Sequence, residues 1–110
     1  MICEFIPIGG VDRFEGDENL VKLGVRMAAD IGCDLVKTVY IKNFGSLASS
    51  VPVPVLALGG AKMESEPMAL DFARTAIKEG AAGLVFGRNV FQAQNPQKFL
   101  DDLIEVVKRG

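Results

Sequence analysis

Four short apolar runs, at Ile2 to Ile6, Leu35 to Val39, Val53 to Leu58 and Gly83 to Gly87, alternate along this chain with helical patterns. No other feature limits the fold as tightly, because strand–helix alternation is the rhythm of a parallel sheet. The first helix carries Leu20, Leu23, Gly24, Met27, Ala28 and Ile31 at i, i+3, i+4 spacing, with Asp17 as N-cap and Gly32 as its stop. That spacing predicts an apolar stripe lying on the sheet. A shorter helical turn is expected after Asn43, through Phe44, Leu47 and Ala48, before Val51-Pro52-Val53-Pro54 forces the chain to extend. Ser65 then caps a helix with Pro67 in its first turn and Ala69, Phe72, Ala73, Ala76 and Ile77 on one face, ended by Gly80. The last helix starts at Asn95-Pro96 and is expected to bury Phe99, Leu100, Leu103, Val106 and Val107.

A length of 110 residues supports one domain over 1–110, and 49% hydrophobic residues with little low complexity predict a globular one. The strands look apolar on both faces and helices follow at regular intervals, so the expected fold is α/β, a parallel (βα)4 half of a TIM (β/α)8 barrel. Half a barrel leaves an inner face and two strand edges open, and such surfaces drive pairing. The expectation is therefore a homo-oligomer, or an open face covered by a complementary half-barrel. The first strand begins directly after Met1, which favours a truncated or engineered half.

A formal charge of -2 with interspersed acids and bases offers no basic stripe, so nucleic acid is not an expected partner. No membrane partner is expected either, because there is no basic leader and no apolar stretch of the ~18 residues needed to span a bilayer. Cys3 and Cys33 lie in apolar surroundings without metal-ligand spacing, and buried reduced thiols in a cytoplasmic protein are the expectation. Histidine is absent. Its absence removes imidazole as ligand and as base, which disfavours zinc hydrolases, serine triads and zinc-dependent aldolases.

Chemistry enters at Asp34-Leu35-Val36-Lys37-Thr38-Val39-Tyr40, where an amine stands inside an apolar, β-branched strand. Such a lysine must reach solvent, pair with a carboxylate, or lose its proton and become a nucleophile. Tyr40 alternates to the face opposite Lys37. The ends of the third and fourth strands add a second theme, reading Gly59-Gly60-Ala61-Lys62 and Gly87-Arg88-Asn89 before a short helical turn through Val90 and Phe91. Glycines let backbone N–H groups approach an anion, and Arg88 adds a charged fork. The alternative reading is that Gly59, Gly60 and Gly87 only turn the chain. Two such loops on the final strands match the phosphate site common in barrel enzymes, so a phosphorylated small molecule is the expected partner.

Taken together, Asp34-Leu35-Val36-Lys37-Thr38, Pro52-Val53-Pro54-Val55 leading to Gly59-Gly60-Ala61-Lys62, Glu79-Gly80-Ala81-Ala82-Gly83 and Gly87-Arg88-Asn89-Val90-Phe91-Gln92 resemble the archaeal-type class I fructose-bisphosphate aldolases, within the wider DeoC/LacD aldolases. The resemblance covers nearly the whole chain but only the C-terminal half of that family's barrel, strands five to eight. It implies a Schiff-base lyase acting on a phosphorylated ketose, with Lys37 as nucleophile on the ketone of dihydroxyacetone phosphate, and neither a metal nor a cofactor. Gly59, Gly60, Gly87 and Arg88 fall where the family binds phosphate, and Lys62 adds charge nearby. The chain departs from the family at Glu4-Phe5-Ile6-Pro7-Ile8-Gly9, because Ile6 stands where the family has a proton-transferring tyrosine. Glu4 shares strand parity with Ile6 and is a candidate replacement acid/base; the alternative is an edge carboxylate paired with Lys37 or Arg88. Asp12 and Arg13 lie in a loop and are assigned no role. A further catalytic acid of the family lies outside the chain. Two other functions remain open at this point: a non-catalytic phosphate-binding or assembly module, and a related synthase or thiolase of the same group.

Overall fold

A computed structural model describes residues 1–7 and 18–109. The elements run β1 (Ile2–Phe5), α1 (Glu18–Asp30), β2 (Leu35–Val39), α2 (Phe44–Ser49), β3 (Val55–Leu58), α3 (Glu66–Lys78), β4 (Gly83–Val85), α4 (Arg88–Phe91) and α5 (Pro96–Arg109). Among the described residues the strands form one parallel sheet in the order β1-β2-β3-β4. This is the expected α/β arrangement of four consecutive strand–helix units, with β1 and β4 as the sheet's two edges. No described helix is long and apolar enough to cross a membrane.

The strands are shorter than their apolar runs. Val53 and Pro54 fall outside β3 because a proline has no N–H for the ladder, although its carbonyl still accepts from Val36 N at 3.0 Å. β1 likewise stops at Phe5 and β4 at Val85. Parity then sorts the side chains. Cys3, Phe5, Val36, Thr38, Val55, Ala57 and Leu84 share one face, and Ile2, Glu4, Leu35, Lys37, Leu56 and Val85 share the other.

The first of these faces lies under the helices. Phe5 packs so closely on Gly24 of α1 that a Cβ there would clash with its ring, and Phe72 of α3 contacts the Tyr40 and Phe86 rings. Val36, Thr38, Val55 and Ala57 are all buried there, together with Val21, Val25, Phe44 and Phe99 from the helices. Removing these apolar surfaces from water is what holds the helical layer on the sheet.

Two expected stripes need correction. In α1 the buried positions are Val21, Gly24, Val25 and Ala28, while Leu23, Met27 and Ile31 are exposed. The helix carries two overlapping apolar stripes, and the sheet takes the one with smaller and β-branched side chains, which permits the close Phe5 approach. The expected N-cap, Asp17, lies outside the described residues. In α5 Phe99, Leu103 and Val106 are buried as expected, but Leu100 and Val107 are exposed with Ile104. They lie beside the β4 edge, where Leu84, Phe86, Val90, Leu100, Ile104 and Val107 border an apolar groove of about 410 Å³.

The helix ends follow their expected signals. Ser65 Oγ accepts from Met68 N at 3.2 Å, and Pro67 stands in the first turn of α3. Asn95 Oδ1 accepts from Lys98 N at 3.2 Å at the start of α5. Gly32 and Gly80 follow α1 and α3 with φ of +91° and +114°. Cys33 is buried, whereas Cys3 is only half-buried, contrary to the expectation for the pair; both are free thiols.

Candidate functional site

Lys37 lies in mid-strand on β2, with Glu4 of β1 and Leu56 of β3 as its lateral neighbours in the sheet. All three side chains emerge on the face away from the helices. That face is the more open of the two, and among its described strand residues only Val39 and Leu58, at the C-terminal end, are buried. The Lys37 Nζ is 3.7 Å from Glu4 Oε1, with the side chains 31% and 43% exposed. The register itself creates this pair, because directly opposed residues on neighbouring strands lie within reach of one another. Of the two readings of Glu4, the carboxylate partner of Lys37 is therefore realised as geometry, and the same proximity is what a proton exchange between the two groups requires.

Thr38, next in sequence, points into the helical layer, where it is fully buried and donates from Oγ1 to the Phe5 carbonyl at 3.0 Å. This bond ties β2 to the end of β1 beside the Lys37–Glu4 pair. Tyr40 also lies on the helical side, stacked on Phe44 and donating to Glu79 Oε2. Burial, followed by the bond to Glu79 and its negative charge, pushes the Tyr40 phenol up to about 12. Its hydroxyl belongs to the packing of α3 on the sheet, as the strand alternation predicts. Ile6 is exposed just beyond β1. Asp12 and Arg13 lie outside the described residues.

The two glycine-rich loops meet at the C-terminal end of β3 and β4. Gly59 N donates to Val85 O at 3.0 Å, which carries the sheet ladder into the loop. A Cβ on Gly59 would stand 2.7 Å from the Phe86 ring, and Gly60 has a φ of +72°, so each position excludes a side chain for its own reason. Gly87 precedes the single turn of α4, and both Val90 N and Phe91 N donate to its carbonyl. Lys62 and Arg88 are exposed, one on each loop.

Asn89 has no role in the sequence pattern but a definite one in the fold. It is 4% exposed, accepts from Met63 N at 2.8 Å through Oδ1, and donates from Nδ2 to the Ala61 carbonyl at 3.2 Å. It therefore joins the loop after β4 to the loop after β3. Its only local signal is a polar residue between Arg88 and the apolar Val90-Phe91, which does not reveal that its partners lie 26 and 28 residues earlier in the chain.

A family model described as "DeoC/LacD family aldolase" matches residues 7–93. Among curated relatives, the chain is 39% identical over 94 residues to a 2-amino-4,5-dihydroxy-6-oxo-7-(phosphonooxy)heptanoate synthase of Streptomyces griseus, covering 83% of this chain and 34% of the relative. It is also 39% identical over 95 residues to a 3-hydroxy-5-phosphonooxypentane-2,4-dione thiolase of Photorhabdus laumondii, covering 86% of this chain and 32% of that one. Among solved structures, an archaeal fructose 1,6-bisphosphate aldolase superposes with a TM-score of 0.88 at 31% identity, over 99% of this chain and 45% of its own. An archaeal fructose-1,6-bisphosphate aldolase with its catalytic Lys covalently bound to the carbinolamine intermediate of the substrate gives 0.86 at 31% identity, over 96% and 44%. The chain thus spans about a third of the length of these curated relatives and less than half of the solved aldolase chains.

Proposed function

Because the chain belongs to the DeoC/LacD aldolase family, we propose that it is the C-terminal half of a class I aldolase barrel, strands five to eight, in which Lys37 forms a Schiff base with a phosphorylated keto compound. The observation that carries this reading is the side of the sheet on which Lys37 stands. Its amine projects away from the helical layer, beside Glu4 and on the sheet that ends in the two glycine-rich loops.

The chemistry follows from that placement. An ammonium has no lone pair, so Lys37 must lose a proton before it attacks the ketone carbon. Transfer of that proton to Glu4 turns an ion pair into a neutral pair, a change that exclusion of water favours because burial penalises charge. The resulting acid then protonates the carbinolamine hydroxyl, water leaves, and an iminium forms. When the bond between the alpha and beta carbons then breaks, the hydroxyl on the beta carbon gives its proton to the regenerated Glu4 carboxylate and becomes the carbonyl of the departing aldehyde, while the electron pair of the broken bond passes to the iminium nitrogen as an enamine. Backbone N–H groups at Gly60 and Gly87, with Lys62 and Arg88, hold the phosphate that orients the ketone, and Gly59, whose own N–H is taken by the Val85 carbonyl, leaves room for it by lacking a side chain.

Water exclusion needs a second layer over the open face. We propose that a complementary half-barrel or another copy of the chain supplies it, covering the free edges of β1 and β4 and the exposed Leu23, Met27, Leu100 and Ile104. The relatives support a phosphorylated carbonyl compound as the substrate class. Ile6, in place of the tyrosine expected from the family, together with the synthase and thiolase relatives, favours a related condensation or cleavage over fructose bisphosphate itself.

Iminium formation acidifies the adjacent C–H bond. In deuterium oxide the closed assembly should therefore place deuterium next to the ketone of dihydroxyacetone phosphate, and Lys37→Met should slow this by a factor on the order of 1000 or more. Equal exchange by both proteins would remove Lys37 from the reaction.

A further inference from the structure

We infer that Asn89 is the positioning residue of the anion site, a latch that sets the distance between its two loops before any phosphate arrives. This inference rests on the phosphate reading above and adds to it a residue that touches no substrate. Asn89 grips the β3 loop at two points, Ala61 and Met63, and the residue between them is Lys62. One planar side chain therefore fixes the backbone on both sides of the loop's cation. The same residue follows Arg88 directly, so the two charged groups are referenced to one amide.

The chemistry of the amide explains the residue type. Met63 N–H can only donate and the Ala61 carbonyl can only accept, and Asn89 meets both from a single group, which also fixes which end is oxygen. A carboxylate in its place would oppose the Ala61 carbonyl with a second oxygen. A leucine would leave two backbone groups unpaired. At 4% exposure little water is available to replace either bond. Asn89 also lies with Lys62, Met63, Ser65, Glu66, Ala69 and Phe99 around a small recess, and Phe99, from α5, is fully buried there. Donors held in place before binding need no reorganisation when the anion arrives, and that is where an anion site gains affinity.

The test is titration of the full chain with inorganic phosphate, followed by amide NMR. Asn89→Asp and Asn89→Leu should each weaken binding about 10-fold or more. Val21→Ala, which loosens α1 on the far side of the fold, should leave affinity within about twofold, separating positioning from general stability. The sharper readout is a double-mutant cycle: Lys62→Ala should weaken phosphate binding in the wild-type background and add nothing in Asn89→Leu, where Lys62 is no longer held. Equal Lys62→Ala losses in both backgrounds, or wild-type affinity in Asn89→Leu, would overturn the latch. If Arg88→Ala and Lys62→Ala weaken binding while the Asn89 variants do not, only the latch falls. If the wild type ignores phosphate, or Arg88→Ala changes nothing, the site and the latch fall together. Should the Asn89 variants not fold, hydrogen exchange in the wild type decides: phosphate should slow exchange of the Met63 amide, and an unchanged rate refutes the inference.

Discussion

The two faces of the sheet differ in what their residues are held by. On the helical face, Val36, Thr38, Val55 and Ala57 are buried, and the one hydroxyl among them is spent on the Phe5 carbonyl. On the opposite face, Glu4, Leu35, Lys37 and Leu56 are exposed or half-buried, and the polar pair there is 3.7 Å apart. Adjacent residues of one strand thus serve different ends. The helical face supplies the free energy of folding, while the other carries the groups able to react and waits for a cover.

Substitution at neighbouring positions breaks this comparison most forcefully. Val36→Lys places an amine under the helical layer and should cost more than about 4 kcal/mol, a large share of the stability of a domain of this size. Leu35→Lys, one residue earlier but on the open face, should cost less than about 1 kcal/mol. Chemical denaturation of both variants measures the contrast, and similar losses would mean that the faces are assigned wrongly. Within α1, Val25→Ala should cost roughly 1–2 kcal/mol by opening a small cavity, whereas Met27→Ala on the exposed stripe should stay within about 0.5 kcal/mol. Thr38→Val keeps the shape but removes the bond to Phe5, at about 1 kcal/mol.

A pH dependence separates the faces in a different way. The Tyr40 phenol is raised from about 10 to about 12 in the fold. The folded state therefore holds the proton more tightly than the unfolded state, and the stability this confers is complete below pH about 10 and lost as pH rises through about 12. Tyr40→Phe should flatten that part of the stability profile. An unchanged slope in the variant would assign the loss to other groups.

What the sequence revealed and what it hid follow from the range of the interactions. Strand–helix alternation, the Ser65 cap, the start of the last helix at Asn95-Pro96 and the placement of Tyr40 opposite Lys37 are local matters of spacing and parity, and each is found in the structure. The sheet-facing stripe of α1 is not legible from spacing, because both stripes have helical spacing. The choice between them depends on Phe5, which reaches Gly24 from another element. Leu100 and Val107 were expected in the core for the same reason, since apolarity marks them for burial without saying against what. Lys37 was legible as an amine in an apolar strand, but its pairing with Glu4 needed the β1–β2 register. Asn89 was the least legible, because its meaning lies entirely in two backbone groups of a distant loop.

Borohydride trapping with dihydroxyacetone phosphate, followed by peptide mass spectrometry, tests the central claim most directly. Reduction should fix a covalent adduct on the peptide that contains Lys37 and on no other lysine peptide, and Lys37→Arg should abolish it. An adduct elsewhere, or none on the wild-type protein in its closed assembly, would contradict the assignment of Lys37 as the Schiff-base residue.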